Sequence, residues 1–439
     1  MTFLVLLLAL GLRLPLITGS LWLDEAIEAL ALMGRQGPLL KYALADFQPP
    51  LYHFVLYGWT RLAGFSELAL RTPSLLAGLG TVWLVMKIGQ TVASRKVGYF
   101  AGLLAATNPL LVYYSQEGRT YALTAFFATL LLYAVVSRRV RLAALGAAGV
   151  AWTSYLGWIL VAVLAVYLMV SRSWKLFWAV ALGSATILLW LPSFFSSLAI
   201  GLQTSSVSPE WGRVVGGLDW KSLPLTWVKF ALGRISFANK YLYAGIVSTL
   251  ALVHLFTLSF VHFRKSRLLW LWLLGPLAFG TLVAVFVPVY QYFRVLFVVP
   301  AYLLLLALGL SRAPRAVTAV VVAAQLACLT YFWVTPQFHR EDWRSLTGDI
   351  NAAQGMSLAV GMPSLNQDAP LLYYGLEVPL FEPKDQPIPR VSRIYYLKYV
   401  EDLFDTTHSG QANLAAAGYT IASQKVYSGI SVDIYENRH

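Results

Sequence analysis

The chain has 439 residues, of which 58% are hydrophobic and only 12% charged, and its mean hydropathy is +0.64. Soluble domains carry roughly 25% charged residues, so a fold surrounded by water is excluded for most of the chain. The net charge of +13 does not indicate nucleic acid, because Lys and Arg form short clusters between apolar blocks, which is the pattern of membrane orientation.

Eleven apolar blocks of about bilayer length follow one another, at 2–18, 73–93, 97–113, 119–137, 142–154, 156–170, 176–195, 240–262, 268–287, 291–310 and 316–334. Residues 3–12 read as an uncleaved first span, since no basic residue precedes them and no small-x-small site stands before Asp24. The lone cysteine, Cys328, lies inside the last block, so an intrachain disulfide and a cysteine-pair metal site are both excluded.

Basic clusters fall at Arg95-Lys96, Arg138-Arg139-Val140-Arg141, Arg172 to Lys175, Arg264-Lys265-Ser266-Arg267 and Arg312 to Arg315. All five occupy alternate loops and so share one side, which the positive-inside rule makes the cytoplasm. The expected protein is multi-pass in the cell (inner) membrane, with a cytoplasmic N-terminus. The loop 19–72, the turn 114–118, the loop 196–239, the turn near 288–290 and the tail 335–439 then face outward.

Three outward segments have patterns of their own. Glu25 to Met33 has helical apolar spacing behind a possible cap at Asp24. Residues 51–63 are aromatic and amphipathic but too short to span, which suits a helix lying in the interface. In the tail, Asp342 to Ala353 reads as a helix and Ser357 to Gly361 as a strand. The expected fold is a polytopic α-helical membrane domain over 1–334, with juxtamembrane helices in its loop 19–72. A small extracytoplasmic α/β domain over 335–439 completes it.

Four polar motifs lie on the outer face. Asp24-Glu25 follows the first span, and a partly desolvated carboxylate there suits a general base. Asp46-Phe47-Gln48-Pro49-Pro50-Leu51-Tyr52-His53 contains paired prolines that set a rigid turn and present Gln48, Tyr52 and His53. Arg71 opens the second span; a guanidinium at that depth either snorkels or binds phosphate through a fork of donors. Gln116-Glu117-Gly118-Arg119 forms a tight polar turn, and polar groups at bilayer depth usually face a cavity. Arg294 adds a cation near the outer end of a span. Together they suit a lipid-linked phosphate ester, with cations holding phosphate and a carboxylate deprotonating an acceptor hydroxyl. No P-loop, dinucleotide fingerprint or His-Glu-x-x-His helix is present, so the substrate arrives already activated.

The ordered set resembles the GT-C superfamily of membrane glycosyltransferases, within it the branch of protein O-mannosyltransferases and the aminoarabinose transferase of lipid A (family 39-like). The likeness is carried by Asp24-Glu25-Ala26, Pro49-Pro50-Leu51-Tyr52, Glu67 to Arg71, Ser115 to Leu123, and Arg340-Glu341-Asp342-Trp343-Arg344. It implies a GT-C fold of about eleven transmembrane helices, a polyprenyl-phosphate sugar donor and reaction on the outer face with inversion. The acceptor is a glycolipid, a glycan or protein Ser/Thr. Asp24 matches the acidic residue proposed as base; Arg71 and Arg119 match positions near acceptor or phosphate. Relatives carry Glu-Lys or a His before the paired prolines, where this chain has Phe47-Gln48. Arg294 or Lys41 would then replace the missing phosphate-binding cation, and neither a metal nor another cofactor is expected.

The expected catalytic residues are Asp24, Glu25 and Glu117. The expected binding residues are Arg71, Arg119, Arg294, Gln48, His53, Gln116, Tyr52 and Lys41. An oligosaccharide ligase or transferase using a polyprenyl-pyrophosphate donor would need the same outer-face chemistry. A transporter of lipid-linked saccharide is disfavoured, because span interiors are nearly free of charge and no internal repeat is seen.

Overall fold

The computed structural model describes residues 1–207, 216–353 and 357–437. They form two compact units: Met1–Ile17 with Leu39–Val334, and Thr18–Pro38 with Thr335–His439.

The first unit is helical. Five helices are long and apolar enough to cross a bilayer: Glu67–Val92, Trp174–Gln203, Lys240–Ser259, Arg267–Ala284 and Arg315–Val334. Shorter apolar helices span Thr2–Gly11, Tyr121–Val136, Val140–Ala151, Gly157–Val170 and Leu296–Leu310. The helix Val299–Leu310 is buried at every position and is therefore enclosed by protein. Lys240–Ser259 buries only Leu250, His254 and Thr257, leaving most of its apolar surface for lipid. Both look alike in sequence, because lipid accepts the same side chains as a protein core.

Several boundaries differ from the sequence expectation. The helix expected from residue 73 begins at Glu67, because Ser66 caps it by accepting from the Ala69 N–H at 3.3 Å. Pro73 consequently lies inside the helix. The block 97–113 is two helices, Arg95–Thr107 and Pro109–Ser115. Asn108 separates them, its side chain accepting from the Leu111 N–H at 3.0 Å, and Pro109 suits a first helical position. Residues 292–295 form a turn, and the block drawn from 291 becomes helical only at Leu296. The first helix ends at Gly11 rather than residue 18.

The second unit holds a five-stranded sheet in the order β2-β1-β3-β5-β4. Its strands are β1 (Leu358–Gly361), β2 (Leu380–Phe381), β3 (Arg393–Leu397), β4 (Tyr419–Tyr427) and β5 (Ile430–Asn437). β1 runs parallel to β2 and β3, while β5 is antiparallel to β3 and β4. The helix Trp343–Ala352 buries Trp343, Leu346 and Ile350 against Val360, Tyr395 and Val432 of the sheet. Asp342 caps this helix through the Ser345 N–H at 3.1 Å. The segment 18–38 belongs to the same unit: the helix Leu23–Leu32 packs on Ala369–Tyr373, and the Leu21 N–H donates to the Tyr374 hydroxyl at 2.8 Å.

Candidate active site

In the first unit the fully buried arginines are held by backbone carbonyls. Arg13 donates to the Ser115 hydroxyl at 3.0 Å and to the carbonyls of Ala9, Ala106 and Ala105 at 3.0–3.2 Å. Gly78 gives this cluster room, since a Cβ there would lie 2.1 Å from Ser115 Oγ. Arg71, expected at the phosphate, is fully buried and donates to the Ile17 carbonyl at 2.9 Å. Gln116, expected as a ligand residue, gives its amide to the carbonyls of Arg13 (2.9 Å) and Pro15. Such bonds satisfy carbonyls beyond the end of the first helix, which would otherwise be orphaned in a dry interior.

The paired-proline turn is fixed to two neighbours. The Leu51 N–H donates to the Trp152 carbonyl at 3.0 Å. The Tyr52 hydroxyl meets Ser74 Oγ at 3.3 Å, and Ser74 in turn donates to the Arg119 carbonyl. Tyr52 is thus buried as a strut beneath the 115–120 turn. At the next position of the helix Leu51–Ala63, buried His53 places Nε2 3.0 Å from Asp46 Oδ2 and packs edge-on to Tyr42. Burial works to raise the Asp46 pKa, but the hydrogen bond from His53 and the charges of Arg119 and His53 outweigh it, holding the carboxyl below its ordinary range. Asp46 therefore joins His53 and Arg119 in one electrostatic group. Asp46 and His53 also supply two atoms of the kind that ligate divalent cations. Gln48 is half-buried in the turn, and Lys41 is exposed on the short helix Leu39–Ala45.

On the other side of the 115–120 turn lies an aromatic wall. Tyr113, Tyr114 and Tyr121 pack with Phe293 and Phe332 at centroid distances of 5.1–6.2 Å. Glu117 is buried at the base of the turn. Arg294 stands next to Phe293 in the turn 292–295 and donates to the Val289 carbonyl at 3.2 Å. Two cations absent from the sequence expectation come to this wall from the helix Ser222–Leu232 and the turn after it. The Arg234 guanidinium sits 4.6 Å over the Tyr113 ring and donates to its hydroxyl. Its pKa is raised: burial works against the charge, but Tyr113, Tyr292, Tyr114 and Glu117 outweigh it. Lys229 Nζ lies 5.9 Å over the Tyr292 ring. Burial first, and then the charge of Arg234, bring its ammonium down to about 8. Arg234 keeps its surface in contact with solvent, and Lys229 is half-buried. This cation pair is open to a ligand, in contrast to enclosed Arg13 and Arg71.

In the second unit the two neighbouring carboxylates differ. Asp24 is not the cap of its helix: Trp22 is the N-cap, and Asp24 and Glu25 both lie in the first turn of Leu23–Leu32. Glu25 is buried with Oε2 3.9 Å from Arg340 Nε, whereas Asp24 is half-exposed. Asp24 lies near Tyr399, whose pKa is raised by burial, by Glu341 and by Asp24 itself. A first-turn carboxylate is favoured by the positive end of the helix dipole.

A family model described as dolichyl-phosphate-mannose-protein mannosyltransferase matches residues 47–195, a stretch that includes the paired-proline turn, Arg71 and the 115–120 turn. Among solved structures, ArnT from Cupriavidus metallidurans bound to undecaprenyl phosphate aligns with a TM-score of 0.56 at 14% identity, over 99% of this chain and 96% of that one. The fold is that of the GT-C membrane glycosyltransferases. The apo form of ArnT gives 0.58 over 99% and 97% at 14% identity. The oligosaccharyltransferase of Archaeoglobus fulgidus, in complex with zinc and sulfate, gives 0.51 at 12% identity over 99% and 73%. No curated protein matches the chain in sequence. With this fold and its apolar helices the chain is a multi-pass membrane protein.

Proposed function

We propose that the chain is an inverting glycosyltransferase moving a sugar from a polyprenyl-phosphate donor to an acceptor hydroxyl at the outer, periplasmic face of the membrane. The observation that carries this reading is the open pair Lys229 and Arg234 beside buried Glu117 and the tyrosine wall. Such a pair binds an anionic phosphate through charge-assisted hydrogen bonds. The fold and the matched family model support the same chemistry.

In the reaction the acceptor oxygen attacks the anomeric carbon, and the bond from that carbon to the phosphate oxygen breaks, its electron pair leaving with the phosphate. The acceptor proton passes to Asp24, which is half-exposed where Glu25 is buried. The donor's phosphodiester carries one negative charge and the departing monoester two, so Lys229 and Arg234 bind the developing charge more tightly than the ground state. Asp46, held ionised, keeps His53 and Arg119 in place beside the turn that carries Glu117. Roles for Gln48, Lys41 and Arg294 belong to the same proposal, in donor or acceptor binding.

Purified protein in nanodiscs, given a polyprenyl-phosphate sugar and candidate hydroxyl acceptors, tests this directly. Turnover should yield product of inverted anomeric configuration and fall by roughly two to four orders of magnitude in Asp24→Asn. Wild-type turnover by Asp24→Asn would defeat the base assignment. Consumption of polyprenyl-pyrophosphate saccharides alone would move the reading to an oligosaccharide transferase. Movement of a lipid-linked sugar across vesicles without transfer would move it to transport.

A further inference from the structure

A cavity of ≈ 430 Å³ opens in the helical unit. It lies between the helices Arg95–Thr107, Val299–Leu310 and Arg315–Val334, with Phe100, Leu103, Leu310 and Val322 as its apolar lining and Lys96 and Arg315 as its cations. None of its lining residues belongs to the proposed transferase site, and nothing in that reading uses the cavity.

Its chemistry is amphipathic. Lys96 donates to the Ser311 carbonyl at 3.2 Å and leans over the Phe100 ring at 5.5 Å, which fixes the ammonium at the mouth while one of its three donors is used. Arg315 opens a 20-residue helix, whose N-terminal dipole adds positive potential at the same place. No acidic side chain is among the lining residues. Below the cations the walls are apolar, and Phe100, Leu103 and Val322 are only partly covered by protein. A water-soluble anion would find partners only at the mouth, whereas a neutral lipid would leave both cations unmatched. Basic pockets between membrane helices suit the headgroups of acidic lipids.

We infer that this cavity binds an acidic glycerophospholipid of the adjoining leaflet, its phosphate between Lys96 and Arg315 and an acyl chain along Phe100, Leu103, Leu310 and Val322. The test is native mass spectrometry of the full chain released from nanodiscs containing equal phosphatidylglycerol and phosphatidylcholine. Wild type should retain phosphatidylglycerol in preference. Lys96→Gln with Arg315→Gln should cut that retention about thirtyfold, at about 1 kcal/mol for each surface cation. Val322→Trp, which fills the cavity with both cations intact, should lose it as well. The pair Arg264→Gln with Lys265→Gln removes the same charge from another basic loop and should retain the lipid. Equal retention of phosphatidylcholine, undiminished binding by Lys96→Gln/Arg315→Gln, or an equal loss in the Arg264→Gln/Lys265→Gln control would each overturn the assignment. So would displacement of the lipid by millimolar inorganic phosphate, which would mark a free-anion site.

Discussion

At the scale of single residues, burial separates arginines that hold the fold together from arginines that can meet a ligand. Arg13 spends its donors on three carbonyls and a hydroxyl, while Arg234 remains accessible above Tyr113. Arg234→Gln should raise the donor KM by about tenfold to a hundredfold, the range for losing a charged hydrogen bond, and steady-state kinetics with varied donor would show it. Lys229 sets a pH dependence. Burial and Arg234 bring its pKa to about 8, so the cation proposed for the phosphate is present below that pH and is lost as pH rises through it. The kcat/KM for donor should therefore fall above about pH 8, and Lys229→Gln should flatten that limb; an unchanged limb would remove Lys229 from the site. Asp46 titrates on the other side: its pKa is depressed, so its support for His53 and Arg119 persists to pH values below the ordinary carboxylate range. Asp46→Asn should cost about 1–3 kcal/mol of stability, measured as reduced thermal unfolding temperature.

At the scale of elements, the site depends on how helix ends are tied. The first helix stops at Gly11, and the chain beyond it is held by Gln116 on the polar turn and by Arg71 on Glu67–Val92. Gln116 and Arg71 attracted notice in the sequence because polar groups are rare at such depth, and that signal is shared by structural and catalytic roles. Gly78 lies under the same junction. A Cβ there would press on Ser115 Oγ at 2.1 Å and approach Arg13 Nε at 3.3 Å, and overpacking of this kind costs about 1–3 kcal/mol. Gly78→Ala should lower the unfolding temperature in detergent with the donor KM of the surviving folded fraction little changed. The Asp46–His53 contact arises because the paired prolines turn the chain back before the helix Leu51–Ala63. Asp46 was written in the motif but carried no role there, since nothing in the spacing says that the turn returns it to His53.

At the scale of the whole molecule, the proposed orientation rests on five basic loops and the polar motifs of the sequence, and labelling tests it. In a Cys328→Ser background, Asp385→Cys should react with an impermeant maleimide from outside intact cells, and Ser171→Cys only after permeabilisation. The reverse pattern would invert the topology and, with it, the proposed periplasmic reaction. The proposed transfer requires no metal, so chelation should leave turnover unchanged. Loss on chelation with recovery on adding a divalent cation would instead recruit ligands such as Asp46 and His53.

The sequence by itself determined the solvent and the helical architecture, because apolar block length and charge depletion follow from bilayer thickness, whatever each helix touches. The helix read from Asp342 to Ala353 and the strand read from Ser357 to Gly361 are found as Trp343–Ala352 and Leu358–Gly361, because their signals are local. Only the tertiary structure decided which helices are enclosed by protein, since a core and a lipid phase select the same residues. It alone separated buried Glu25 from half-exposed Asp24, and brought Lys229 and Arg234 from a distant loop to the Tyr113 wall. Those outcomes depend on contacts between residues far apart in the chain, and a one-dimensional pattern of hydropathy and charge does not encode them.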